Sequence, residues 1–276
     1  MEYGSKIFDY VILGGGSAGC VMANRLSASG RHEVLLVEAG KDFPPGAEPT
    51  DILDSYPMGA SFNPAYHWKN LSVRLGATAS NSGPPRPPVF LEQARVIGGG
   101  SSINAQMANR GSPQDYDEWE TLGAHGWSWE KVLPYFRKLE NDQDIRDDFH
   151  GQHGPIVIRR VPQENWPGFA RRVSEVLTDQ GLKPLSDQNG YFEEGWFACT
   201  ISNQDEMRVS ASMGYLDTGV RARKNLYILS ETVAEKLVFE GRKVSSASVR
   251  GKKGPLSLLG KHFIISTGAL HTPALL

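Results

Sequence analysis

The sequence predicts an α/β fold in which a Rossmann-like core is joined to an antiparallel β-meander. Three observations carry this expectation. Residues 8–13 (FDYVIL) form a short, β-branched apolar run of the kind buried on both faces of a parallel sheet. That run leads at once into a glycine-rich turn at residues 14–19 (GGGSAG), followed by apolar residues at helical spacing. From residue 225 the pattern changes to β-like alternation broken by glycine-containing turns.

The first helix is expected over 20–26 (CVMANRL), with Gly30 just past its end. A second strand, 33–37 (EVLLV), finishes at Glu38. The order is therefore strand, G-x-G-x-x-G, helix, strand, acidic residue. Each part has its own reason. Gly14 permits the tight turn, Gly16 lets a pyrophosphate approach the backbone, and Gly19 lets helix and strand pack closely. A phosphate is favoured at the helix N-terminus by its free N–H groups and dipole. Glu38 can accept hydrogen bonds from both hydroxyls of an adenosine ribose and would repel a 2′-phosphate. A lone G-x-G-x-x-G often marks a plain turn, but this context points to dinucleotide binding. It does not separate NAD from FAD.

The Pro-rich residues 81–89 (NSGPPRPPV) predict an extended loop, either a linker or a lid over a cofactor. In residues 94–104 (ARVIGGGSSIN), three glycines and two serines can present consecutive N–H groups as an anion nest. A second phosphate-type contact so far along the chain implies a large cofactor held from two sides. Residues 127–140 (WSWEKVLPYFRKLE) predict a helix capped by Ser128, kinked at Pro134, with Trp129, Val132, Leu133 and Phe136 on an apolar face. His150 and His153 lie in HGQHG. With no third ligand nearby in sequence, turn chemistry is favoured over a metal site.

Residues 156–158 (IVI) form a short strand. Asn165 is expected to cap a helix with Pro167 in its first turn, Phe169, Val173, Val176 and Leu177 on one face, and Gly181 ending it. Residues 191–207 read as strand-like, with Phe192, Trp196 and Phe197 assigned to core packing ahead of the alternative of facing a substrate, and 208–216 as helical. Residues 226–230, 233–239 and 244–250 form the meander, which returns to a strand at 263–266 that completes the sheet. Gly268, at that strand's end, is placed beside the cofactor as a second close-approach glycine.

Composition narrows the function classes. With 276 residues the chain can bury a substantial core, and 39% hydrophobic with 22% charged residues is ordinary for a globular protein. Lys+Arg 29 against Asp+Glu 31 leaves a net charge of -2, which advertises neither nucleic acid nor an anionic membrane. No apolar run reaches the ~20 residues that span a bilayer. The two cysteines, Cys20 and Cys199, lack metal-ligand spacing and suggest a reducing cytoplasm.

Residues 94–117 (ARVIGGGSSINAQMANRGSPQDYD) resemble the first signature of the glucose–methanol–choline (GMC) flavin oxidoreductases, and residues 268–276 (GALHTPALL) resemble the opening of the second. The stretch around 107–111 (MANRG) looks closest to the 5-(hydroxymethyl)furfural oxidase and choline dehydrogenase branches. The resemblance implies FAD. By matched position, Gly14, Gly16, Ser17, Ala18 and Gly19 would take the pyrophosphate, and Glu38 with Ala39 the adenosine ribose. Arg95, Val96, Gly100, Ser101, Asn104, Ala105, Gln106 and Met107 would line the pyrophosphate, ribityl and isoalloxazine regions, and Val233 would contact the adenine through its backbone. Some members bind flavin covalently through a histidine just before the signature asparagine. Ile103 stands there, which implies non-covalent FAD.

The activity implied is oxidation of a primary alcohol to the aldehyde, with hydride passing to flavin N5 and electrons passing on to O2 or another acceptor. The family's proton-accepting histidine and its His or Asn partner have no match here. His125, His150, His153, His262 and His271 fit no such motif, so no catalytic residue is assigned. The rival readings are a flavin-containing hydroxynitrile lyase and a non-catalytic flavin-binding fragment. Residues 1–160 and 213–276 are expected to form the FAD-binding domain, and 161–212 part of an α+β substrate-binding domain. The chain is expected to be the N-terminal part of a longer enzyme, inactive and weak in flavin retention by itself.

Overall fold

The structure, a computed structural model, describes residues 3–74 and 87–276. The loop expected over 81–89 lies largely outside the described residues. In chain order the principal elements begin with β1 (Ile7–Leu13), α1 (Ser17–Ser27), β2 (Val34–Val37), α2 (Pro113–Thr121), α3 (Trp129–Leu139), β3 (Glu140–Asp142) and β4 (Ile156–Arg160). They continue with α4 (Gly168–Asp179), β5 (Thr200–Ile201), α5 (Ala211–Tyr215), β6 (Leu226–Leu229), β7 (Val233–Glu240), β8 (Lys243–Gly251), β9 (Gly254–Ile265) and α6 (Gly268–Leu275). The chain divides into two compact units, one of Met1–Ala105 with Ser210–Leu276 and one of Gln106–Val209.

The first unit is built on a six-stranded sheet of order β6-β2-β1-β9-β8-β7. The first four strands run parallel, and β9, β8 and β7 are antiparallel. All four residues of β2 are buried, as the centre of a sheet covered on both faces requires. Phe8, Val11, Leu13, Leu35 and Val37 pack with Leu237, Val249 and Leu258 into one core, so the parallel and meander parts share it.

Two details differ from the sequence expectation. Residues 226–229 leave the meander and pair in parallel with β2, because β2 needs a partner on each edge. The strand expected at 263–266 is the end of a longer one, β9, whose earlier residues 254–259 were expected to be no strand and form the last strand of the meander. Residues 254–259 of β9 pair with β8, while Leu259 to Ile265 pair with β1. Alternation specifies that a segment is a strand, but not which neighbours satisfy its backbone.

The glycine turn is as tight as its spacing predicts. Gly14 has φ +102°, and a Cβ there would overlap the Ser266 carbonyl. A Cβ on Gly19 would overlap the Gly14 carbonyl oxygen, so this glycine sets how closely α1 approaches β1.

In the second unit β4 pairs in parallel with β3 and antiparallel with β5. That small sheet groups residues 106–160 with 161–209, whereas the sequence expectation drew its first boundary at 160. Ser112 and Asp115 form a capping box at the start of α2. Ser128 stands at the N-cap of α3 but its side chain makes no cap hydrogen bond. Carboxylates of α2 serve instead: Glu120 accepts from the N–H groups of Gly126, Trp127 and Ser128, and Asp117 from that of Trp129. Helix α4 starts after Pro167 rather than Asn165, and its Phe169 is 82% exposed. Residues 191–207 are mostly irregular, with strands of two residues only, because Phe192, Asp205 and Glu206 take positive φ. Among the described residues, no helix is long and apolar enough to cross a membrane.

Candidate cofactor site

A cavity of about 820 Å³ opens in the first unit, within the usual range of ligand sites of roughly 300–1,000 Å³. The glycine turn forms one side, with Gly14, Gly16, Ser17 and Ala18 in the wall. Helix α1 has Gly16 at its N-cap and no side-chain cap, so no side chain competes for its first N–H groups. A Cβ on Gly16 would meet nothing closer than Gly99 Cα at 3.9 Å. Internal packing therefore does not demand glycine at 16, and space for an incoming group does. An uncapped helix start facing a bare glycine surface fits a diphosphate.

Glu38 and Ala39 line the cavity at the end of β2. Glu38 is buried, and its two carboxylate oxygens accept from the N–H of Gly15 at 2.8 Å and of Gly40 at 2.7 Å. Burial raises its pKa, partly offset by those two bonds and by the nearby Arg95 charge. Each oxygen keeps a lone pair for a ribose hydroxyl.

The second motif reaches the same cavity through Gly99, Gly100, Ile103 and Asn104. Gly98 and Gly99 take positive φ and start a short 3₁₀ turn over Gly99–Ser102. The Ser101 hydroxyl donates to the Gly98 carbonyl at 2.6 Å and accepts from the Ala211 N–H at 2.9 Å, so it braces the turn from behind. Val233 and Gly268 also line the cavity.

The other residues expected at the site are placed differently. Gly19 lies inside α1 and Val96 in a hydrophobic core with Ile52 and Tyr66. Arg95 is held by Nε donating to the Ala39 carbonyl at 3.1 Å, and its guanidinium lies 4.9 Å from the Trp68 ring centre. Ala105 is exposed at the end of the first unit. Gln106 and Met107 begin the second, Gln106 buried at φ +62° and Met107 54% exposed. The cavity also contains Trp68, Glu92, Gln93, Thr232, Thr267 and His271, which the sequence reading did not assign. Trp68 and Gln93 are paired through the backbone across a hairpin, a link invisible to spacing rules.

The second unit holds a different cluster. His150 is buried, and its Nδ1 lies 3.1 Å from Glu140 Oε1 and 2.9 Å from Asp142 Oδ2, while Nε2 lies 3.1 Å from Asp187 Oδ2. Arg110 pairs with Glu140, and Arg160 with Asp142 and Asp187. With both ring nitrogens donating to carboxylates, His150 is an imidazolium. Burial opposes its charge, but the bonds to Asp142, Asp187 and Glu140 lift its pKa to about 11. The turn role expected for His150 gives way to this one. The carboxylates stand eight or more positions before it or far beyond it, outside any local pattern. Atoms of Glu140, Asp142 and His150 lie within 4.8 Å of one another, a spacing that suits a cation. The two arginines and the imidazolium already balance the three carboxylates, and Asp142 and Glu140 are occupied by donors.

One cavity thus joins a glycine-rich turn, the buried Glu38 carboxylate and a second glycine-rich turn. The sequence profile of the GMC oxidoreductases matches residues 8–276. The chain belongs to the GMC oxidoreductase family. It is 43% identical over 273 residues to the 5-(hydroxymethyl)furfural oxidase of Methylovorus sp. strain MP688, covering 98% of this chain and 51% of that protein. It is 34% identical over 276 residues to the oxygen-dependent choline dehydrogenase of Staphylococcus saprophyticus, covering 98% and 47%. Among solved structures, pyridoxine 4-oxidase from Mesorbium loti superposes with a TM-score of 0.85 at 33% identity, over 97% of this chain and 50% of that one. The chain thus spans about half the length of the relatives it matches. GMC oxidoreductases bind FAD through a Rossmann-like domain, the fold of the first unit.

Proposed function

We propose that this chain forms the FAD-holding part of an enzyme that oxidises a primary alcohol to the aldehyde. The observation that carries the reading is the single cavity walled by both glycine-rich motifs and by Glu38. Gly14 to Ala18 would hold the pyrophosphate, Glu38 the ribose, Val233 the adenine, and Gly100 with Asn104 the approach to the flavin. FAD, when bound, supplies the hydride acceptor. The chain's residues bind and orient it, and Ile103, a wall residue with no nucleophilic atom, leaves it non-covalent. None of these residues is assigned as the base that takes the hydroxyl proton. An aromatic or furanic alcohol is the favoured substrate class, supported by the furfural oxidase relative, with dioxygen or another acceptor taking the electrons. Two free cysteines fit a reducing compartment such as the cytoplasm.

Acid precipitation of the intact protein should release yellow flavin into the supernatant, and colour kept in the pellet would refute non-covalent binding. Anaerobic mixing with 5-(hydroxymethyl)furfural, benzyl alcohol or choline should bleach the oxidised flavin with at least one of them. Failure with every alcohol would transfer weight to the lyase reading, which the oxidase and dehydrogenase relatives do not favour.

A further inference from the structure

Helix α2 and the loop that follows it leave a patch of the second unit bare. No residue of α2 is buried. Trp119 is 47% exposed, Trp127 52%, and Leu122, at the C-cap of α2, 77%. Large apolar side chains exposed side by side mark interaction surfaces, whereas single ones need no explanation. The two indoles are neighbours, with ring centres 5.9 Å apart and planes at 55°. Local packing uses only part of them. Trp119 meets the Tyr116 ring edge to face at 5.3 Å, and Tyr116 in turn packs on Trp129 and Phe136.

The patch is also fixed in advance. Glu120 Oε2 accepts from the N–H groups of Gly126, Trp127 and Ser128 at 2.6, 2.8 and 3.1 Å, which ties the Trp127 backbone to α2. The Ala124 N–H donates to the Trp119 carbonyl at 2.9 Å. Rings held in this way have little freedom left to lose on binding, and tryptophan is a frequent anchor at interfaces.

Charge decides what fits. Between Arg110 and Lys131 the sequence has five carboxylates, Asp115, Asp117, Glu118, Glu120 and Glu130, and no lysine or arginine. The single histidine of this stretch, His125, lies 3.8 Å from Glu120. Glu118 and Glu130 are exposed and have no ion-pair partner among the described residues. An anionic membrane does not suit this sign, because interfacial aromatics there sit among lysines and arginines. A two-fold contact between copies would set the same carboxylates against one another. A guanidinium or ammonium group satisfies both features, since it can stack on an indole face and pair with a carboxylate. Two indoles and a leucine extend beyond one such group, so a chain segment suits them better than a free cation. We propose that Trp119, Leu122 and Trp127 form a docking surface for a lysine- or arginine-bearing segment of a partner protein.

The probe is a decapeptide of alternating arginine and glycine, added to the intact protein before a brief exposure to hydroxyl radicals. Trp119 and Trp127 should be oxidised in the free protein and protected by this peptide. The same peptide with glutamate in place of arginine should protect neither. Trp127→Ala should raise the Kd of the arginine peptide by about three- to tenfold, the range of one exposed cation–π contact. Glu118→Gln combined with Glu130→Gln should weaken binding by a similar factor and reduce its salt dependence. Far-UV circular dichroism of both variants should match the wild type, and protection in the wild type is read whether or not they fold. Indoles that resist oxidation in the free protein would show that its own chain covers them and would overturn the proposal. Protection that grows with the protein's own concentration would overturn it in favour of a second copy. No protection by the arginine peptide, equal protection by both peptides, or a Kd that neither folded variant moves would overturn it as well.

Discussion

Glu38 illustrates a residue with two duties. Its oxygens hold the Gly15 and Gly40 N–H groups, and the residue lines the cavity where a ribose would lie. Glu38→Gln keeps the shape but presents an amide NH2 to one of those N–H donors. FAD affinity should fall by about 1.5–3 kcal/mol, the worth of a charge-assisted bond, measured as flavin fluorescence quenching against apoprotein concentration. His150 sets a pH dependence of stability. Its folded pKa, lifted to about 11, exceeds its ordinary 6.5, so its contribution is complete below about pH 6.5 and is lost as pH rises toward 11. The partner carboxylates act in the opposite sense. Burial works against them, yet hydrogen bonds and the arginine and imidazolium charges hold Glu140 and Asp187 low, and Asp142 at about 2. Their contribution is present above about pH 4 and disappears as pH falls toward 2. Urea midpoints should therefore be highest between about pH 5 and 6.5 and decline on both sides. His150→Leu leaves three carboxylates against two arginines, should cost about 3–5 kcal/mol, and should flatten the alkaline decline. An alkaline decline that survives this change would place its origin elsewhere.

Strand β9 shows what an element adds beyond its residues. One run of twelve residues closes the meander and completes the parallel sheet, and Leu258, fully buried, lies where the two roles meet. Leu258→Ala should cost about 2–5 kcal/mol in chemical denaturation, because a core shared by both parts cannot collapse around the lost atoms. Much of this architecture was legible in the sequence. The turn from Gly14 to Gly19, α1, β2 and Glu38 follow from local rules, since φ, helix starts and two-faced burial leave local marks. Alternation also marked β7 and β8. It did not reveal that residues 226–229 pair with β2, because pairing partners depend on distant edges. The candidate site divides along the same line. Gly14 to Ala18, Glu38 and Gly100 belong to contiguous motifs. Trp68, His271 and the carboxylates around His150 meet through tertiary folding and carry no local spacing. The capping of α3 by Asp117 and Glu120 was missed for that reason too.

At the scale of the whole chain, the second unit is an insertion into the first. Its boundaries, Ala105/Gln106 and Val209/Ser210, lie close to a direct link inside the first unit, the 2.9 Å bond from the Ala211 N–H to Ser101 Oγ. Replacing residues 106–209 by a short Gly/Ser linker should therefore leave a first unit that still binds ADP, measured by calorimetry. Loss of ADP binding with the sheet's circular dichroism intact would show that the inserted residues contribute to the adenosine end. The pairing of β1 with β9 has a consequence in time as well. Leu13 leaves the ribosome long before its neighbour Ile265. At 5–20 residues per second that delay is roughly 10–50 s. Through that interval one edge of β1 has no strand beside it, and every partner of the His150 cluster emerges before the interval ends. The middle of this chain can finish folding before its beginning does, and a nascent-chain chaperone has its target at the N-terminus.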